Sequence, residues 1–142
     1  MVELPRSLAD QLIAHARDAA PHEACGVGAL EGVRIVALWP ARNYSETPER
    51  NFTFTPPPGH KLGPDDGFWR LIRLEDGQDT VIYHSHPHSR AYPSATDRTE
   101  MSRAWTNALQ LMVSLATDPP DVRAYRIDAR GQVTEEPVTL LD

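Results

Sequence analysis

The sequence predicts an α/β domain, one sheet with helices packed on it, and three observations carry that expectation. Apolar residues recur at helical spacing near the N-terminus, Val-, Ile- and Leu-rich runs bounded by Gly and Pro follow, and the last third of the chain is rich in strand formers. At 142 residues the chain is expected to be one domain spanning residues 1–142, large enough to bury a core. No internal repeat or linker argues for a second.

Each element follows from its own pattern. Between residues 4 and 19, Leu8, Leu12, Ile13 and Ala16 recur at three-to-four spacing. Pro5 sits near the start and Pro21 just past the end, which predicts an amphipathic helix. The stretch EACGVGALEGVRIVALWPARN reads as two short strands turning around Glu31-Gly32. Residues 43–66 break the pattern. Pro56, Pro57, Pro58 and the Gly63-Pro64 pair exclude regular helix there, although Phe52 and Phe54 alternate as a strand would.

A helical pattern returns over residues 67–76 through Phe68, Leu71, Ile72 and Leu74. DTVIYHSH is then a strand, delivering His84 and His86 at its end. Ser94 can cap a helix over residues 95–105 with Asp97 in its first turn. ALQLMVSLA reads as a buried strand, and VRAYRID and GQVTEEPVTLL as a strand pair turning at Ala129-Arg130-Gly131.

The net charge of −6 argues against a nucleic-acid partner, which usually meets a basic face. The N-terminal stretch carries no basic segment leading into a long apolar core, so no signal peptide is expected. No apolar run approaches the roughly 18 residues of a membrane span, and a cytoplasmic location with no membrane partner is expected. Cys25 is the single cysteine, which excludes an internal disulfide and a cysteine-based zinc site. The sequons at Asn43 and Asn51 are read as chance matches.

The stretch HSHPHSRAYPSATD concentrates three of the six histidines within five residues. On a strand, His84 and His86 point the same way, and two imidazoles on one face at a strand end suit a zinc ion. A catalytic zinc takes three protein ligands and leaves the fourth position to water. Asp97 is the best candidate for the third, because the loop from Pro87 to Pro93 can fold it back. For His-x-His alone, a solvated surface loop is an equal alternative. Glu23, at the entry to an apolar strand, is costly to bury without a partner, and an exposed strand-end glutamate is the plainer reading of it.

Glu23, His84-Ser85-His86, seven residues, Ser94, two residues and Asp97 together reproduce a known pattern. With the wider text PHEACGVGAL and YHSHPHSRAYPSATD, the chain resembles the JAMM metalloproteases, also called MPN+ or JAB. It looks like the short, stand-alone prokaryotic members, which include peptidases acting on ubiquitin-like sulfur-carrier proteins. The resemblance runs from the first helix to about Ala116 and fills all five motif positions. It implies a single JAB/MPN-type domain with a central, mostly antiparallel curved sheet flanked by helices, related to the cytidine deaminase fold.

The resemblance implies Zn²⁺ held by His84, His86 and Asp97, Glu23 as general base and then general acid, and Ser94 as donor to the oxyanion. Capping the helix is an equal reading of Ser94. Ser85 points to the opposite face and is read as structural. His88 is not taken as a fourth ligand, because that would close the position water needs. Cys25 is expected to be a small buried residue, and Trp39, Trp69 and Trp105 packing residues. The implied partner is a ubiquitin-like or sulfur-carrier protein whose Gly-Gly tail lies extended against a strand edge.

Residues 43–66 would wall or cover that channel, with Phe52 and Phe54 able to touch the partner; an irregular surface loop explains them as well. Few residues separate the Asp97 helix from the strand at Leu109, which argues against a polyubiquitin specialist. A non-catalytic MPN-type interaction scaffold is the competing reading, although such relatives usually lack one or more of the five residues. A zinc deaminase needs a Cys-x-x-Cys pair that one cysteine cannot supply. The carrier, the released group and the oligomeric state are left open by the sequence, a homodimer among the options.

Overall fold

The computed structural model describes residues 1–61 and 74–142. Its centre is β2 (Cys25–Glu31), buried along its length apart from Glu31 and flanked by β3 (Arg34–Ala41) and β4 (Asp79–His86). The β2–β3 hairpin turns at Gly32, whose φ of 61° lies in the left-handed region that glycine enters without cost. This is the turn that the Glu31-Gly32 pair predicts. The ladder shifts register between Ala29 and Leu30.

Beyond β4 come β5 (Leu109–Ser114), β6 (Asp121–Ile127) and β7 (Val133–Glu136); beyond β3 come β1 (Val2–Pro5) and β8 (Val138–Leu141). Of the seven neighbouring pairs, β2–β3, β2–β4, β5–β6 and β6–β7 are antiparallel and the other three are parallel. The sheet is therefore mostly antiparallel, as expected. Its curvature follows from connectivity. β7 and β8 occupy opposite ends of the strand order, yet only Pro137 separates them in the chain. The sheet must curl until its two edges nearly meet.

Two expectations are corrected at these edges. Residues 2–5 belong to a strand, and the first helix, α1 (Arg6–Ala19), begins only after Pro5. Val2 and Leu4 are buried, and β1 pairs with β8 from the far end of the chain, a non-local contact that helical spacing cannot report. Likewise GQVTEEPVTLL is two strands. Pro137 has no N–H for a ladder, and the chain changes edge there. The turn before β7 is as predicted, with Gly131 at φ 79°.

α1 packs Ala9, Leu12 and Ala16 on one face of the sheet, against Leu4, Val81, Tyr83, Leu111 and Val113. α2 (Ala95–Ala104) covers the other face, where Met101 joins Cys25, Val27, Phe54, Ile82 and Ile127. Alternation along β4 sends Val81 and Tyr83 toward α1, and Ile82 toward α2. Gly26 pairs with Tyr83 and leaves room for its ring; a Cβ there would lie 2.2 Å from Tyr83 Cε2 and 2.4 Å from the Trp39 carbonyl oxygen.

Residues 43–61 form neither helix nor strand, as the prolines require. Phe52 and Phe54 pack against the α2-side core instead of continuing a strand. The helical pattern at 67–76 and Trp69 lie largely outside the described residues; Leu74, Glu75 and Asp76 are not helical. Trp39 and Trp105 are partly buried against the core. Among the described residues, no helix is long and apolar enough to cross a membrane.

Candidate metal centre

β4, α2 and β5 form a parallel βαβ crossover, and such units present ligands at the carboxyl ends of their strands. His86 is the last residue of β4, and Asp97 lies in the first turn of α2. The antiparallel register Cys25↔His84, followed two residues further, sets Glu23 across from His86. Ser85 secures that junction from the opposite face. Its hydroxyl accepts the Ala24 N–H at 2.7 Å, and its own N–H donates to the Ala24 carbonyl at 2.9 Å.

Glu23 is further held through its backbone. Its N–H donates to the Pro48 carbonyl at 2.6 Å, and its carbonyl accepts from Asn43 Nδ2 at 3.1 Å. The irregular segment after β3 thus reaches back to the strand entry. Glu23, His84, His86 and Asp97 are all at least 95% buried. The exposed strand-end glutamate that sequence physics favours is not what forms.

The donor atoms converge. His84 Nε2 and His86 Nε2 are 3.2 Å apart, and Asp97 Oδ2 is 3.2 Å from each. Ligands about 2.0–2.1 Å from a tetrahedral zinc are separated by roughly 3.3 Å, so this triangle has the size such an ion requires. Glu23 Oε2 lies 4.0 Å from His86 Nε2, and Glu23, His84 and His86 also form a set whose donor atoms lie within 4.8 Å of one another. The 3.2 Å triangle is the tighter of the two and leaves Glu23 beside it.

His86 Nδ1 lies 2.9 Å from the Arg90 carbonyl, which can only accept. That nitrogen therefore carries a proton and donates it, the backbone support that metal-binding histidines commonly have, and leaves Nε2 to face the triangle. Phe52 stacks on the His84 ring at 4.5 Å between centroids. The Arg90 carbonyl is a backbone atom and the Phe52 contact crosses 32 positions of sequence; neither leaves a local signal.

Burial works against the Asp97 carboxylate. The charge of His84, hydrogen bonds from both imidazoles and the Ser94 N–H outweigh it, holding the carboxyl well below the usual range. Glu23 behaves oppositely: burial pushes it up to about 7, the two histidines pull it down and Asp97 adds to the rise. Burial also lowers His86, but the hydrogen bonds to Asp97 and Arg90 prevail and raise it. The centre thus holds two carboxyl groups whose pKa values are pushed in opposite directions. Glu23 Oε1 is buried without a hydrogen-bond partner.

Ser94 caps α2 and is exposed. His88 is exposed. Cys25 is fully buried, and burial followed by the nearby Glu23 pushes its thiol up to about 12, so it is no nucleophile. Alongside, a cavity of about 620 Å³ opens between residues 51–56 and α2, lined by Phe52, Phe54, Thr96, Glu100, Met101 and Trp105. Phe52 is common to the groove and to the centre.

Comparison with known proteins agrees with this architecture. The family model for prokaryotic homologs of the JAB domain matches residues 5–128. The CysO-cysteine peptidase of Mycobacterium tuberculosis is 35% identical over 95% of this chain and 88% of its own length. The desampylase of Haloferax volcanii is 32% identical over 74% of each. A JAB1/MPN domain protein from Archaeoglobus fulgidus, 16% identical, shares the fold with a TM-score of 0.58 over 99% of this chain and 100% of its own. The chain belongs to the prokaryotic homologs of the JAB domain and is a hydrolase of that family.

Proposed function

We propose that this chain is a zinc-dependent peptidase or isopeptidase acting in the cytoplasm. It hydrolyses the amide bond after the C-terminal glycine of a ubiquitin-like or sulfur-carrier protein. The observation that carries this reading is the 3.2 Å triangle of two imidazole nitrogens and one carboxylate oxygen, with a second carboxylate of opposite character beside it. The names of the two curated relatives support the substrate class.

His84, His86 and Asp97 would hold the ion. The chemistry zinc supplies when bound is acidification of water, whose pKa falls from about 15.7 to about 7. Glu23 takes a proton from the attacking water and returns it to the departing nitrogen as the C–N bond breaks, a dual role that its buried position beside the triangle suits. Ser94 uses its hydroxyl lone pair for the helix cap and keeps its proton to donate to the developing oxyanion. The groove between residues 51–56 and α2 receives the extended tail, and Phe52 closes its inner end over His84. A Gly-Gly terminus suits the approach because it brings no side chain near the ligands.

The test is incubation of the zinc-loaded protein with ubiquitin-like carriers extended beyond Gly-Gly, followed by mass spectrometry of the products. Cleavage after the second glycine, abolished by chelation and by Glu23→Gln, is expected. Failure to cut any such extension, with zinc bound, would leave the non-catalytic scaffold as the better account.

A further inference from the structure

Among the described residues, the buried side-chain atoms without a hydrogen-bond partner sit on three residues: Glu23 Oε1, His84 Nδ1, and both amide atoms of Gln110. Glu23 belongs to the chemistry above. The other two lie on neighbouring strands. Gln110 pairs with Ile82 in the parallel β4–β5 ladder, and His84 is the next residue of β4 on the same face. Leu109, Leu111 and Val113 point to the α1 side, so Gln110 points with Ile82 and His84 toward α2. Diagonal neighbours on one sheet face are about 7–8 Å apart, within reach of long side chains.

Gln110 is 1% exposed, among apolar neighbours where an amide is expensive to keep. On the other side, Tyr125 faces it across β5–β6, but the Tyr125 hydroxyl is engaged by the Ala91 carbonyl. His86 has its Nδ1 proton fixed by the Arg90 carbonyl, whereas His84 has no such acceptor.

We propose that Gln110 is the positioning residue for His84. Its side-chain carbonyl accepts the Nδ1–H of the imidazole and so turns the Nε2 lone pair toward His86 and Asp97. A rotation of the Gln110 side chain makes the bond, and two buried groups become satisfied together. The inference rests on the metal reading above, and on chemistry common to metal-binding histidines.

The experiment uses full-length protein labelled with ¹⁵N in histidine, observed by NMR without and with zinc, alongside zinc affinity from chelator competition. The wild-type His84 ring is expected to keep its Nδ1 proton, slow to exchange, both with zinc and without it. Gln110→Leu should lose this protection and weaken zinc about 10–100-fold, while Gln110→Glu, which keeps an acceptor, restores both. An Nε2–H tautomer or a freely exchanging Nδ1–H in the wild type overturns the proposal without any variant, should Gln110→Leu fail to fold. Wild-type affinity in a folded Gln110→Leu protein overturns it as well. A wild type that carries the protected Nδ1–H but binds no zinc overturns the metal reading while leaving the Gln110–His84 bond standing.

Discussion

Ser94 and Asp97 hold each other in place. The Ser94 hydroxyl accepts the Asp97 N–H at 3.1 Å, and the Asp97 carboxylate accepts the Ser94 N–H at 2.9 Å. This reciprocal capping starts α2 and, by the same bonds, orients the oxygen that faces both imidazoles. A helix boundary and a proposed metal ligand are one arrangement.

The two duties of Ser94 separate by substitution. Ser94→Ala should cost about 1 kcal/mol of stability through the lost cap, whereas Ser94→Gly should cost only a few tenths. Both variants lose the oxyanion donor, so both should fall on the order of 10²–10³ in kcat. Activity tracking stability across the pair, by thermal unfolding and steady-state kinetics, would reduce Ser94 to a cap.

Glu23→Gln keeps the side chain's shape and leaves the backbone bonds to Pro48 and Asn43 in place. Zinc should stay bound at wild-type stoichiometry while turnover falls by about 10²–10⁴. Metal analysis and kinetics on the same preparation check this; loss of the metal would make Glu23 a ligand instead of a base.

On the opposite face, His15 Nδ1 lies 2.8 Å from the Tyr83 hydroxyl. Burial lowers the His15 pKa below 6.5, with Asp18 opposing, so the unfolded chain binds the proton more readily. The resulting contribution is complete above pH 6.5 and is lost as the pH falls through the folded-state value. The stability difference between wild type and His15→Gln should therefore be constant above about pH 6.5 and shift against the wild type below it. Thermal midpoints from about pH 5 to 7.5 would show this, and parallel curves would refute it.

Gly26→Ala tests the close packing beneath the site. The added carbon meets the Tyr83 ring on one side and the Trp39 carbonyl on the other, and the backbone oxygen cannot rotate away. Overpacking of this kind should cost about 3 kcal/mol or more. A denaturant midpoint equal to wild type would mean that β2 and β3 separate more easily than their register suggests.

Much of the fold was legible because its signals are local. The spacing of Leu8, Leu12 and Ala16 marked α1, Gly32 and Gly131 marked turns, and Ser94 marked the start of α2. β1 and β8 were not. Each depends on the other across nearly the whole chain, and an isolated Val2–Pro5 segment has no period long enough to read. For the centre, His-x-His on a strand and an aspartate one turn into a helix could be proposed from alternation and capping alone. That Glu23 is buried could not.

By itself, the sequence determined which side chains were available: two imidazoles on one strand face, two carboxylates of fitting reach, a capping serine and no competing cysteine pair. Tertiary structure decided what those side chains became. The β2–β4 register brought Glu23 opposite His86, burial drove its pKa up while the charge of His84 and hydrogen bonds drove that of Asp97 down, and the β4–β5 register set Gln110 diagonally across from His84. The reason is physical. Alternation and capping act between near neighbours in the chain, whereas register and desolvation exist only once distant strands have paired and excluded water.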